Sequence, residues 1–284
     1  MTEPRIEDLV LQHDRRGISL LQAHLPADNF CQTAQYVLDH PGAIIITTGF
    51  YVNGIAETDG PPGALALAKA LHALGRQVHV ISDHYCTPLL EPFAGNSFNV
   101  IEFPITGESK SRSIAGSLIE ELQPALMIAV ERCGQTIDGR YCNMRGVEIT
   151  ACTARLDHLF LGQPATIGIG DGGNEIGMGK LFNQLSAIPS LIANPTTTAT
   201  QRLLIATVSN WAVYGLLTEL SRLCDRNLLP SVEEQRALLH EIVARGSTNG
   251  VSGLVENKVD GYDDSVNDGI LAEMHSLLAT LPTV

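Results

Sequence analysis

Basic residues are scarce in this chain: 18 Lys and Arg stand against 31 Asp and Glu, leaving a formal net charge of −13. That balance excludes a nucleic-acid or anionic-membrane partner recruited by long-range attraction. No apolar run approaches the ~20 residues needed to span a bilayer. No CxxC pair or regular framework links the six cysteines, at 31, 86, 133, 142, 152 and 224, so reduced thiols are expected. Met1 to Asp8 is acidic, without an apolar secretory core or transit character, so a cytoplasmic location is expected. The first strand-to-helix loop lacks GxGxxG, which argues against a dinucleotide. The DxDxT nucleophile of haloacid-dehalogenase-type phosphatases is also absent, although Gly170-Asp171-Gly172-Gly173 resembles their acidic loop. Neither a repeat nor a low-complexity tract is present.

What is present suits one large domain of 284 residues with 44% hydrophobic and 17% charged residues, enough to bury a substantial core. Short apolar runs recur at 43–48, 77–82, 98–103, 125–130, 165–170 and 203–207, the pattern of buried strands. Helical spacing lies between most of them, at 62–74, 85–94, 110–122, 210–224 and 231–245. Pro62 suits a first turn and Gly75 a stop. This alternation predicts an α/β fold, doubly wound, with a mostly parallel sheet flanked by helices. Residues 1–40 predict a short helical prelude, 41–245 the sheet and its helices, and 246–284 a loop and closing helix over 270–281. The Asp260 to Asp268 cluster lacks the spacing of a calcium-binding loop and reads as a solvated loop.

Ligands of such sheets gather outside the carboxyl ends of the strands, so the loops there are the candidate site. Gly170, Gly172, Gly173, Gly177 and Gly179 interleave with Asp171, Asn174 and Glu175. Glycines admit close backbone approach, and a helix starting near Asn174 would aim its positive end at an anion. Thr48, Gly49 and Asn53 follow the first strand, and Thr58 or Asp59 is placed to cap the next helix. Glu131 and Arg132 follow the fourth strand. Arg145 offers a planar fork for a carboxylate, unless it pairs internally with Glu148 or Glu131. Three classes remain open on these residues: an enzyme, a non-catalytic module binding an amino acid or nucleotide, and a phosphate-handling enzyme using the Gly-rich loop.

Three long segments, TGFYVNGIAETDGPPGA at 48–64, ERCGQTIDGRYCNMRGVEI at 131–149 and GIGDGGNEIGMGK at 168–180, together resemble the D-glutamate cyclase family. The similarity runs over most of the chain, more weakly over the first ~40 residues and around 246–265. In animals the family's domain is joined to another in a mitochondrial protein, so a companion domain or a homo-oligomer is a candidate partner. The resemblance implies a lyase of amino-acid metabolism, a hydro-lyase interconverting D-glutamate and 5-oxo-D-proline plus water. For that reaction Asp171, Glu175 and Glu131 suit proton transfer, Arg132 and Arg145 suit carboxylate orientation, and the backbone of Gly172 and Gly173 suits oxyanion stabilisation. Asn174, Thr48, Gly49 and Asn53 complete the expected substrate contacts. Asp59, Asp171 and Glu175, with Glu131 and Asn174, are also oxygen donors suited to magnesium or manganese, the candidate cofactor.

Overall fold

In a computed structural model, residues 5–188 and 191–280 are described; residues 1–4 of the expected prelude and Leu281 of the expected closing helix lie outside them. Six apolar runs form one parallel sheet: β1 (Ile44–Thr48), β2 (Val78–Ser82), β3 (Asn99–Glu102), β4 (Leu126–Val130), β5 (Thr166–Gly170) and β6 (Arg202–Ile205). The order across the sheet is β3-β2-β1-β4-β5-β6. β1, β2, β4 and β5 are buried along their whole length, as a parallel sheet covered on both faces requires.

Alternation along β1 sends Ile44 and Ile46 into a large apolar cluster on one face and Ile45 into a smaller cluster on the other. The larger face is covered by α1 (Asn29–Asp39), α2 (Pro61–Ala73), α4 (Ser209–Leu223), α5 (Val232–Ala244) and α6 (Asp264–Thr280), and the smaller by α3 (Glu108–Leu122) and the turn at Asp157–Phe160. Pro61 and Pro62 open α2, and Gly75, with φ of 81°, closes it while the Arg76 N–H donates to the Leu71 carbonyl at 3.0 Å. The expected helix at 85–94 is only a turn at Thr87–Leu90 followed by a 3₁₀ turn at Glu91–Phe93. α6 begins at Asp264, earlier than expected, because the apolar spacing that marks it starts only at Ile270.

One expectation fails at the centre of the site: no helix starts near Asn174. Residues 174–178 instead run beside two other segments, with the Ile176 N–H donating to Arg132 O and the Gly177 N–H to Thr198 O, both at 2.8 Å. Gly168 in β5 permits this, since a Cβ there would lie 2.5 Å from the Gly177 Cα. The next helical turn begins at Gly179. Among the described residues no helix is long and apolar enough to cross a membrane, and all six cysteines are unpaired.

Candidate active site

Between β1 and β4 the order of the sheet reverses, so the chains leaving these neighbours diverge and open a crevice at their carboxyl ends. A cavity of about 520 Å³ lies there, lined among others by Arg16, Glu57, Glu131, Asp171, Asn174 and Asp260. Asn53, Glu131 and Asp260, all on its wall, hold positive φ angles of 51°, 44° and 50°. Such left-handed backbone is disfavoured for residues with a Cβ and persists where the surroundings over-determine it, as at functional sites.

Six carboxylates are buried around this crevice: Glu57, Asp59, Glu131, Asp171, Glu175 and Asp260. Ligand oxygens of Asp59, Asp171 and Asp260 lie within 4.8 Å of one another, and so do those of Glu131, Asp171 and Glu175. Burial, followed by neighbouring acids, drives the proton affinities of Glu57 and Glu131 well above the ordinary carboxylate range, and burial does the same for Asp171 against the pull of Arg16. Asp59 is pushed up to about 7 by burial and Asp260. Glu175 is also raised by burial, against the pull of backbone donors at Gly173 and Gly172. Arg16 answers this charge. It donates to Asp171 Oδ1 at 2.9 Å and to Asp260 Oδ2. Burial disfavours its charge, but Asp171, Asp260 and Glu131 outweigh that and raise its pKa.

The predicted residues divide by where the fold puts them. Glu131, Asp171, Asn174, Asn53 and Arg145 line the cavity. Asp171 Oδ2 and Asn174 Oδ1 are buried without a hydrogen-bond partner. Arg145 is exposed and donates to the Val251 carbonyl at 2.6 Å rather than pairing with Glu148 or Glu131.

Arg132 does not line the cavity. It is 1% exposed and is committed to Asp83 Oδ2 at 2.6 Å, the Gly49 carbonyl at 2.7 Å and the Ala154 carbonyl at 2.9 Å. A substrate carboxylate would have to displace those bonds, so carboxylate orientation does not fall to it. Thr48 and Gly49 lie behind the wall, Thr48 with an unpartnered hydroxyl and Gly49 bound through its carbonyl to Arg132. The N–H groups of Gly172 and Gly173 are also spoken for, because they donate to Glu175 Oε1 at 3.1 Å and Oε2 at 2.8 Å. No preformed oxyanion donor pair is left at those two residues.

Asp59 does cap a helix, but not the one that follows it. Its carboxylate accepts the Ser209 N–H at 2.7 Å and the Asn210 N–H at 2.9 Å at the start of α4. Asn210 Oδ1 returns the favour to α2, accepting from Gly60 at 3.1 Å and Gly63 at 2.8 Å. The starts of the neighbouring helices α2 and α4 are thereby tied together, and Ser209 Oγ donates to Glu131 Oε2 at 2.7 Å from the same corner.

Sequence reasoning missed Arg16, Glu57 and Asp260. Asp260, assigned there to a solvated loop, is 8% exposed and faces Arg16. Arg16 sits in a turn organised by Asp14, whose Oδ1 accepts the N–H of Arg16 at 2.9 Å and of Gly17 at 2.8 Å. The turn is pinned by the Tyr262 hydroxyl on the His13 carbonyl at 2.6 Å and by Arg15 stacked 4.6 Å from the Tyr262 ring. The tail reaches the site because the Thr58 N–H donates to the Thr248 carbonyl at 2.9 Å and Ser247 Oγ to the Ala56 carbonyl at 2.8 Å. Gly250 then passes so close to Glu57 that a Cβ would fall 1.5 Å from Oε2. Asp14 with Gly17, and the glycines of the tail, were the local signs available.

Residues 6–275 match the family described as D-glutamate cyclase-like, C-terminal. The chain is 30% identical over 295 residues to human D-glutamate cyclase, mitochondrial, across 87% of this chain and 46% of that protein, so it spans less than half the relative's length. Among solved structures, an exopolyphosphatase-related protein from Bacteroides fragilis aligns at 11% identity with a TM-score of 0.43, over 92% of this chain and 61% of that one. A short-chain dehydrogenase from Streptomyces avermitilis aligns at 13% identity with a TM-score of 0.29, over 57% and 64%. With the family's model matched from the first turn of the prelude to α6, this chain belongs to the D-glutamate cyclase-like C-terminal family.

Proposed function

We propose that the crevice interconverts D-glutamate and 5-oxo-D-proline plus water, as a lyase. The observation carrying this reading is Asp171, whose Oδ2 is buried, unpartnered and on the wall of a cavity that also holds Glu131, Glu57 and Asp260. In the forward direction the α-amino nitrogen bonds to the γ-carboxyl carbon. One γ-oxygen departs and carries off two of the three ammonium protons as water. Ring closure within one molecule profits from an effective molarity on the order of 10⁵ M or more, so no ATP is required.

The buried acids bind the ammonium and, because burial raises their proton affinity, take up its proton more readily than an exposed carboxylate does. Glu131 and Asp171 are the proton carriers in this reading, and Glu175 stands behind them, oriented by the glycine loop. Arg145, exposed on the cavity wall, supplies positive charge for one substrate carboxylate, and Arg16, on the same wall, supplies it for the other through guanidinium N–H groups beyond those given to Asp171 and Asp260. The human relative's name supports the D-glutamate assignment. Six unpaired thiols support a reducing compartment, for which the reading here is the cytoplasm, while the relative is named mitochondrial.

Proton NMR of the purified chain with D-glutamate, L-glutamate or 5-oxo-D-proline, in EDTA and then in magnesium or manganese, tests the assignment. Ring opening or closure confined to the D series is expected. Absence of conversion in every condition, with a ligand-induced rise in Tm, would replace the lyase by a binding module.

A further inference from the structure

The cavity joins two unlike environments. Its acids, Glu57, Glu131, Asp171 and Asp260, are all buried. Another part of the wall is apolar or aromatic: Phe50, Tyr51, Met144, Val147, Ile149 and Val251. Phe50 and Ile149 belong with Cys133 and Tyr141 to an apolar cluster of their own, separate from those on the two faces of the sheet, and Tyr51 packs against it. Tyr51 is also held edge-on against Tyr85, with ring centroids 4.7 Å apart. Val147 and Val251 are 57% and 47% exposed, so this part of the wall opens to solvent while the acids do not. Arg145 is exposed with them, and among the described residues its guanidinium is engaged only through Nη2, on the Val251 carbonyl at 2.6 Å. Free glutamate, two carboxylates and an ammonium on a short chain, has no apolar group to set against such a wall. A volume of about 520 Å³ lies in the range that holds drug-sized ligands, more room than glutamate fills. Covering the wet apolar side chains with an apolar ligand group is favourable.

We propose that the cavity also takes D-glutamate whose γ-carboxyl is amide-linked to an amino acid with an apolar side chain, and cyclises it to 5-oxo-D-proline with release of that amino acid. This rests on the reading of the crevice given above. The α-amino nitrogen bonds to the γ-carbonyl carbon, and the C–N bond to the attached amino acid breaks. Two of the three ammonium protons pass to the departing nitrogen, which leaves as an ammonium. Nothing is oxidised or reduced, and one amide is exchanged for another, so no further reactant is needed. The γ-carboxylate of the free acid is gone in such a peptide, and the carboxylate of the attached residue takes its place opposite Arg145. The apolar side chain of that residue lies against Tyr51, Met144, Val147 and Val251, where the thioether of Met144 adapts to different shapes.

The test follows 5-oxo-D-proline and released amino acid by proton NMR, with the full chain and the same EDTA, magnesium and manganese conditions as for D-glutamate. The substrates are D-glutamate, γ-D-glutamyl-leucine, γ-D-glutamyl-glycine and the leucyl peptide acetylated on its α-nitrogen. Both free peptides are expected to give 5-oxo-D-proline, with kcat/KM for the leucyl peptide on the order of 10-fold or more above that for the glycyl one. A double variant, Val147→Ser with Val251→Ser, changes only exposed side chains and is expected to bring that ratio towards one. The acetylated peptide, whose nucleophile is blocked, is expected to stay intact. Turnover of D-glutamate but of neither peptide would overturn this inference and leave the reading of the crevice standing, whereas turnover of none of them would overturn both. Equal rates for the two peptides would remove the apolar subsite, and leucine released from the acetylated peptide would mark hydrolysis in place of cyclisation.

Discussion

The glycine-rich loop after β5 and the two terminal segments deliver charge to the same crevice by opposite routes. In the loop, Glu175 is held by backbone N–H groups only two and three residues away, so the motif carries its own support. Arg16 and Asp260 stand 244 residues apart and support each other, and each also needs the central sheet to bring it within reach. A charge supported locally can be recognised from its neighbours in the chain. A charge supported from a distance looks, in sequence, like any solvated residue until the fold removes the water.

Several substitutions sharpen or break that contrast. Asp171→Ala, at the meeting point of the two regions, is expected to lower kcat/KM with D-glutamate by about 10²–10⁴-fold while far-UV circular dichroism stays native. Unchanged turnover would remove Asp171 from the chemistry. Arg132→Ala tests the assignment of this motif arginine to the scaffold. It leaves Asp83, 2% exposed, without its buried partner, and a loss of about 3–5 kcal/mol in denaturant unfolding is expected. Intact stability with a raised KM would return Arg132 to the substrate.

Gly250→Ala drives a Cβ into Glu57 and should cost about 1–3 kcal/mol, as overpacking of a tight site does. If its Tm matches the native chain, the tail does not press on the crevice as described. The smallest effect on stability belongs to Arg145→Ala. Among the described residues its side chain donates only to the exposed Val251 carbonyl, so the unfolding free energy should stay within about 0.5 kcal/mol of native while KM for D-glutamate rises. A KM equal to native would shift carboxylate binding wholly to Arg16.

The sequence by itself determined the six sheet strands, most of the long helices and the family, because apolar runs of strand length and helical spacing are short-range signals. It also marked the loops after β1, β4 and β5, since glycine beside acidic residues at a strand end is locally legible. Tertiary structure decided which of those residues face the cavity. Arg132 and Arg145 lie in one polar stretch, yet the fold buries the first against Asp83 and leaves the second at the mouth. It decided that Asp59 caps α4 rather than α2, a pairing across 150 residues. It also made Arg16 and Asp260 partners, because the pull between two charges becomes strong only after folding excludes the water that screens them.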